Sequence, residues 1–166
     1  MTVDEFLKEV NRKAAPAPLH AVLQLERDLG ASLPADYRQF LIDCNGGHVG
    51  GRLWFQGPTP SGEPADAGVH HVGGFREESY FSLTSARECY EGRIPKDLLW
   101  IMDDPFGNAI CLGVSGNHRG KVYFWDHESE PDPDEWDGRV ETAGNVQLLA
   151  DSFAAFVGGL RPPANE

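Results

Sequence analysis

Cysteines are few in this chain, which has only Cys44, Cys89 and Cys111. An odd number of widely spaced cysteines without a C-x-x-C pair favours neither a disulfide framework nor a cysteine-ligated zinc site. We therefore expect these residues to be reduced thiols in the core of a cytoplasmic protein.

Basic residues are also scarce: 14 Lys and Arg face 26 Asp and Glu, so the net charge is −12. A surface with this excess of acid repels phosphates, which disfavours nucleic-acid binding through a basic surface. The same charge attracts basic partners.

Long apolar runs are absent as well. The nearest is the short LLWIM of 98–102, far below the roughly 18 residues that cross a bilayer. Residues 1–13 carry acids where a secretion signal needs basic residues, and they lack its continuous apolar stretch. We expect no membrane partner and a cytoplasmic location.

The composition that remains is typical of one folded domain. The 166 residues are 40% apolar and 24% charged, and 19 Gly and 12 Pro indicate many turns. We expect a single domain over 1–166, with its core between 19 and 160.

Three short helices are predicted in the first quarter of the chain. Thr2 and Glu5 form a capping box for a helix that runs to about Lys13. A second helix ends before Gly30, and a third follows Pro34. The third helix has one apolar face, which consists of Tyr37, Phe40, Leu41 and Cys44.

The pattern changes from helices to strands after the third helix. Apolar runs between Gly- and Pro-rich turns predict an antiparallel or mixed central sheet. Its strands are expected at 52–55, 69–72, 98–102, 109–114 and 121–126. A second capping box, Ser85 to Glu88, begins a short helix, 57–68 forms a surface loop, and a final helix spans 151–160. Helices that flank a run of strands indicate an α+β fold.

No catalytic motif is found in the sequence. Asp103 and Asp104 resemble a carboxylate pair for acid–base chemistry or for a divalent cation. The order Asp-Pro-Phe-Gly at 104–107 instead fits a type I turn, which we favour. His70 and His71 are adjacent, and neighbours on a strand point to opposite faces, so we do not expect them to chelate one ion. We predict no catalytic residue, no metal site and no cofactor.

The most acidic part of the chain is 126–141, here called the acidic segment. Eight acids against Arg139 give it a charge of −7, and it contains Trp136. A calcium loop is excluded by spacing, because Gly138 at its sixth position places Pro133 at the first, where a ligand is required.

We predict instead that the acidic segment binds a partner, with Trp136 as the anchor and the acids steering association. The predicted contact residues are Glu128, Glu130, Asp132, Asp134, Glu135, Trp136 and Asp137. In the alternative interpretation, Trp136 folds back over the sheet and the acids only keep the loop solvated.

The stretch 25–47, LERDLGASLPADYRQFLIDCNGG, resembles the opening motif of the SUKH superfamily, which includes bacterial immunity proteins and the fungal Smi/Knr-type cell-wall regulators. The matching residues are Glu26, Leu29, Gly30, Leu33, Pro34, Tyr37, Phe40, Leu41, Asn45, Gly46 and Gly47.

Three later stretches resemble the same family, in the same order. Residues 94–113 and 120–128 are similar to its central strands, and 152–160 is similar to its closing helix. The family's Asp-x-x-Gly-Asn turn is matched by Asp104, Gly107 and Asn108.

The resemblance implies an α+β domain without catalytic residues. The bacterial members are mostly immunity proteins that bind and neutralise a secreted or contact-delivered toxin, and many such toxins are nucleases with basic surfaces. On this basis we predict a cytoplasmic immunity protein whose partner is a basic toxin domain. One alternative is a regulatory or scaffold protein like the fungal members. The other is a small metal-dependent hydrolase that uses Asp103, Asp104 and His127.

Overall fold

The computed structural model of the chain describes residues 1–57 and 65–163. The helices are α1 Val3–Glu9, α2 Leu19–Leu29, α3 Ala35–Cys44, α4 Leu83–Tyr90, α5 Val140–Ala143 and α6 Phe153–Gly158. The strands are β1 Gly47–His48, β2 Trp54–Gly57, β3 Ala65–Gly68, β4 His71–Val72, β5 Leu98–Asp103, β6 Ala109–Gly113, β7 Val122–Trp125 and β8 Val146–Ala150.

The central sheet has six antiparallel strands in the order β1-β4-β5-β6-β7-β8. β2 and β3 form a separate antiparallel hairpin. The α+β prediction with an antiparallel sheet is confirmed. Within the described residues, none of the helices has the length and apolar character needed to cross a membrane.

The first helix begins where the sequence predicted and ends earlier. The amide of Thr2 donates to Glu5 Oε2 at 2.7 Å, and the amide of Glu5 donates to Thr2 Oγ1 at 3.2 Å, so the capping box is present. α1 stops at Glu9 rather than near Lys13, because Asn11 exchanges two backbone hydrogen bonds of 2.9 Å with the first sheet strand.

An aromatic cluster joins α1, α3 and α6. The rings of Phe6 and Phe40 stack with their centres 5.3 Å apart. Phe153 lies against both Tyr37 and Phe40, at 5.3 and 5.0 Å between ring centres. Burial of each phenylalanine ring stabilises the fold by about 1.5–3 kcal/mol. The predicted apolar face of α3 is buried throughout.

The link between α3 and β1 is fixed by the sequence Asn45-Gly46-Gly47. The buried side chain of Asn45 accepts a hydrogen bond from the Phe75 amide at 2.8 Å. A Cβ at Gly47 would lie 2.5 Å from the carbonyl oxygen of Asn11, so this position requires glycine. These residues of the family motif therefore have a structural role, which is to lead the chain into β1.

Two sequence predictions about loops and caps are wrong in part. The predicted surface loop at 57–68 contains strand residues, because Gly57 and Ala65–Gly68 pair in the β2–β3 hairpin. The remainder of that loop, 58–64, lies outside the described residues. The predicted cap at Ser85 is also misplaced: Ser82 Oγ accepts from the Ser85 amide at 3.2 Å, so α4 begins three residues earlier.

The cysteines divide between core and surface. Cys44 and Cys111 are buried, and burial raises the pKa of the Cys44 thiol to about 12. Cys89 is exposed, so the expectation that it is a core thiol is wrong. It is the second-to-last residue of α4.

Candidate functional site

A groove of about 630 Å³ lies between α4 and the acidic segment. One side is formed by α4 and by residues 91–100, and the other by Pro133 and residues 136–138. The Lys96 amide donates to the Gly138 carbonyl at 3.3 Å and joins the two sides. The groove therefore places the predicted anchor beside a concave surface that has apolar and charged residues.

Trp136 lines both this groove and a smaller hollow of about 260 Å³. The side chain is half-buried, and its indole N–H donates to the Arg139 carbonyl at 3.1 Å. This hydrogen bond satisfies the polar end of the ring, and the half-buried side chain keeps part of its surface exposed.

Glu130 is held by an internal ion pair. Arg93 Nη2 lies 2.5 Å from Glu130 Oε1, and Arg93 Nε lies 3.0 Å from Oε2. The guanidinium also lies over the rings of Tyr90 and Trp125, at 5.3 and 5.4 Å from their centres. Glu130, one of the predicted contact residues, therefore holds the acidic segment through Arg93 against Tyr90 of α4 and Trp125 of β7.

Asp137 and Asp132 also accept internal hydrogen bonds from nearby residues. Asp137 accepts hydrogen bonds from the Thr142 hydroxyl and from Arg139 Nε, and these lower its pKa to about 2. Asp132 accepts a hydrogen bond from the Asp134 amide at 2.9 Å. Both carboxylates order the local backbone.

The remaining predicted acids, Glu128, Asp134 and Glu135, are exposed. Of the seven predicted contact residues, these three acids take no part through their side chains in the internal hydrogen bonds described above. The structure thus distinguishes these exposed acids from Glu130, Asp132 and Asp137, which shape the segment.

The predicted turn at 104–107 is confirmed, and it explains Asp104. This buried carboxylate accepts from the Phe106 amide at 2.8 Å and from Asn108 through its amide and its Nδ2, at 2.9 and 2.8 Å. His127 Nδ1 lies 2.8 Å from Asn108 Oδ1. Asp104 and His127 both contact Asn108, whereas Asp103 faces a different set of side chains, so the three residues of the hydrolase alternative do not converge on one point.

Asp103 faces a group of histidines at the β1 end of the sheet. β1, β4 and β5 lie side by side, with His48 paired with His71 and Val72 paired with Met102. Cross-strand partners project to the same face of a sheet. His71 and Asp103 are the next residues along β4 and β5 from the Val72–Met102 pair, and Asp103 Oδ2 lies 3.0 Å from His71 Nδ1.

His70 completes the histidine cluster, which consists of His48, His70 and His71. The ring centre of His70 lies 3.8 Å from that of His71 and 5.0 Å from that of His48. One ring nitrogen of each residue lies within 4.8 Å of the other two. The prediction that His70 and His71 point to opposite faces is wrong, because His70 precedes β4 and lies outside the regular alternation of a strand.

The electrostatic setting of the cluster favours neutral imidazole at His48. Burial lowers the pKa of His48, and the neighbouring His70 and His71 lower it further. Burial raises the pKa of Asp103, against the opposing effect of its hydrogen bonds with His71. Sequence reasoning missed this cluster because β1 has two residues and no periodic pattern. The signal present in the sequence was the His70-His71 pair.

The fold and its motif residues define the class of protein. Residues 16–159 match the SMI1/KNR4 family (SUKH-1), and the chain belongs to this family. The predicted resemblance is confirmed, and α1 lies ahead of the matched region.

Among individual proteins, the chain is similar to the uncharacterized protein YokK, which is derived from the SPbeta prophage of Bacillus subtilis (strain 168). The two are 27% identical over 174 aligned positions, which cover 93% of this chain and 82% of YokK.

Proposed function

We propose that this protein is a cytoplasmic immunity protein, without catalytic activity, that binds and neutralises a toxin domain with a basic surface. Membership of the SUKH-1 family carries the proposal, because bacterial relatives of this type are mostly immunity proteins. Similarity to a prophage-derived protein is compatible with it.

The charge distribution supports a basic partner. The acidic segment carries −7 of the net −12, and Glu128, Asp134 and Glu135 are exposed within it. Opposite charge on a partner accelerates encounter, and the effect weakens as salt screens it. Phosphate-binding surfaces of nucleases are positively charged and so complement the acidic segment. A nuclease toxin is therefore the partner that best fits this charge distribution.

The groove supports the segment as a contact surface. Tight interfaces are centred on a few aromatic or arginine residues that lose their water, with polar residues around them. Trp136, half-buried between the groove and the smaller hollow, has this position relative to the exposed acids. We infer that a loop or helix of the toxin enters the groove and covers Trp136.

Co-expression with the product of the adjacent reading frame tests the proposal. If that product contains a toxin domain, cells that also produce this protein should grow, and a stable complex should be isolated from them. Failure of the protein to rescue growth, together with no complex in purified components, would contradict the proposed function.

Binding kinetics then test the proposed surface. The triple variant Glu128→Gln, Asp134→Asn, Glu135→Gln should associate more slowly and show a flatter salt dependence. The matched control is Asp43→Asn, Glu77→Gln, Asp151→Asn, which removes the same charge from exposed acids outside the segment. Equal association rates for the two triple variants would remove the acidic segment from the interface.

Trp136→Ala should act on the dissociation rate, because it removes buried contact rather than long-range charge. Tyr80→Ala is its control, since Tyr80 is an aromatic residue with 55% exposure that lies beside His71. A faster dissociation for Trp136→Ala alone supports the groove as the contact surface, and unchanged dissociation contradicts it.

A further inference from the structure

We propose that the histidine cluster is a zinc site, with His48, His70 and His71 as ligands and an open fourth position. This replaces the sequence-based expectation of no metal site, which depended on His70 and His71 pointing to opposite faces.

The spacing of the ring nitrogens fits one ion. Zinc binds imidazole at about 2.0–2.1 Å in tetrahedral geometry, which places ligand nitrogens roughly 3.3 Å apart. The three histidines already have a nitrogen each within 4.8 Å of the others. Rotation of the imidazole rings covers the difference, so the backbone of β1 and β4 can stay in place.

Asp103 supplies the outer-shell partner that zinc-bound histidines usually have. Its Oδ2 lies 3.0 Å from His71 Nδ1, and its Oδ1 lies 3.9 Å from His70 Nδ1. A carboxylate at Nδ1 holds the proton on that nitrogen and leaves the lone pair of Nε2 for the metal. Asp103 thus orients His71 and adds negative charge beside His70.

The His48 ring lies close to the backbone of the following turn. A Cβ at Gly50 would lie 2.9 Å from His48 Cε1, so the ring rests against the backbone of Gly50. The cluster nevertheless remains accessible, because the side chains of His70 and His71 are 32% and 19% exposed. Three protein ligands and access to solvent leave room for a water molecule or another donor at the fourth position.

Zinc is the divalent ion that best fits three imidazole ligands. Imidazole suits zinc, copper and nickel, whereas calcium and magnesium require oxygen ligands. Among the imidazole-binding metals, zinc prefers the tetrahedral arrangement that three histidines and one external ligand provide. Bound zinc would join β1 to β4 at the edge of the sheet.

The test uses the full chain, without an affinity tag and stripped of metal, titrated with zinc chloride in a calorimeter. We expect one zinc ion per chain and a raised melting temperature, because an ion that binds only the folded state stabilises it. Cobalt(II), as a coloured substitute, should give the intense visible absorption of a tetrahedral site.

Four variants assign the binding to these residues. His48→Gln and His70→Gln should each weaken zinc binding by more than tenfold and remove the rise in melting temperature. Asp103→Asn should keep one zinc per chain with roughly 10–100-fold lower affinity, as for other outer-shell carboxylates. His20→Gln, at an exposed position on α2, should leave the affinity unchanged.

Circular dichroism of each variant without zinc shows whether it is folded before titration. If wild-type protein fails to bind one zinc ion per chain, the proposal is wrong. It is also wrong if the folded His48→Gln and His70→Gln variants retain wild-type affinity.

Discussion

Arg93 and Glu130 form a two-point ion pair across 37 residues of chain, with the guanidinium lying over Trp125. The pair joins Arg93, three residues beyond the end of α4, to the first half of the acidic segment. This ion pair holds the segment beside the groove, and it thereby keeps Trp136 and the exposed acids in fixed positions relative to one another.

Glu130→Gln should loosen the acidic segment more than it destabilises the whole fold. Since the pair is partly exposed, we expect the free energy of unfolding to fall by about 1 kcal/mol. Hydrogen exchange should become faster in residues 127–137 while β5 and β6 remain protected. Glu128→Gln, which changes the charge two residues away, should leave both measurements unchanged. Equal exchange in the two variants would contradict a fastening role for Glu130.

Phe40→Ala should lower the free energy of unfolding by about 3–5 kcal/mol, because it leaves a cavity between Phe6 and Phe153. Urea unfolding and thermal melting measure the loss. Phe106→Ala, in which the ring removed is 69% exposed, should change the same free energy by less than about 0.5 kcal/mol. An unchanged melting temperature for Phe40→Ala would mean that α3 does not pack as described.

Asp104→Ala should destabilise the β5–β6 turn by about 1.5–3 kcal/mol, because amides of Phe106 and Asn108 lose their charged acceptor. Asp104→Asn retains one oxygen acceptor and should lose less. Asp151→Asn, at an exposed position, is the control for the loss of one carboxylate. Equal stability of Asp104→Ala and wild type in urea would argue against this role.

The ion pair between Glu26 and Arg38 should contribute a pH-dependent part of stability. Burial raises the pKa of Glu26, but the hydrogen bonds from Arg38 and from the Leu33 amide outweigh it, so the pKa lies below its usual 4.5. The ionised form is therefore the one that favours folding. Its contribution is complete above pH 4.5 and is lost as the pH falls through the lowered pKa of the folded protein.

The difference in unfolding free energy between wild type and Glu26→Gln measures this contribution. It should be present at pH 7 and should shrink steadily below pH 4.5. In an Arg38→Met background, where one source of the shift is gone, the pH dependence of the same difference should be weaker. A difference that is constant from pH 7 to strongly acidic conditions would contradict the assignment.

Most elements with local signals were predicted, although the capping box of α4 was placed three residues too late. The capping box at Thr2, the α3 face around Phe40 and the turn at Asp104 depend on residues within a few positions of one another, and all were confirmed. The resemblance to SUKH proteins was confirmed by the family match over residues 16–159.

The elements that were missed depend on pairing between distant parts of the chain. β1 has two residues and exists because Gly47 and His48 pair with Val72 and His71. β8 is another case: its burial does not alternate regularly, and its position is set by pairing with β7. The histidine cluster was missed for the same reason. Its residues come together through the pairing of β1 with β4 and through the break in strand alternation at His70.

The aromatic cluster also has a consequence for synthesis of the chain on the ribosome. Phe153 packs between Tyr37 and Phe40, which are made more than a hundred residues earlier. At 5–20 residues per second, the growing chain waits roughly 6–23 s for that ring. Throughout this interval the apolar face of α3 lacks one of its native contacts and offers chaperones a binding surface. Completion of the fold is therefore a late event, which follows emergence of α6 from the ribosome.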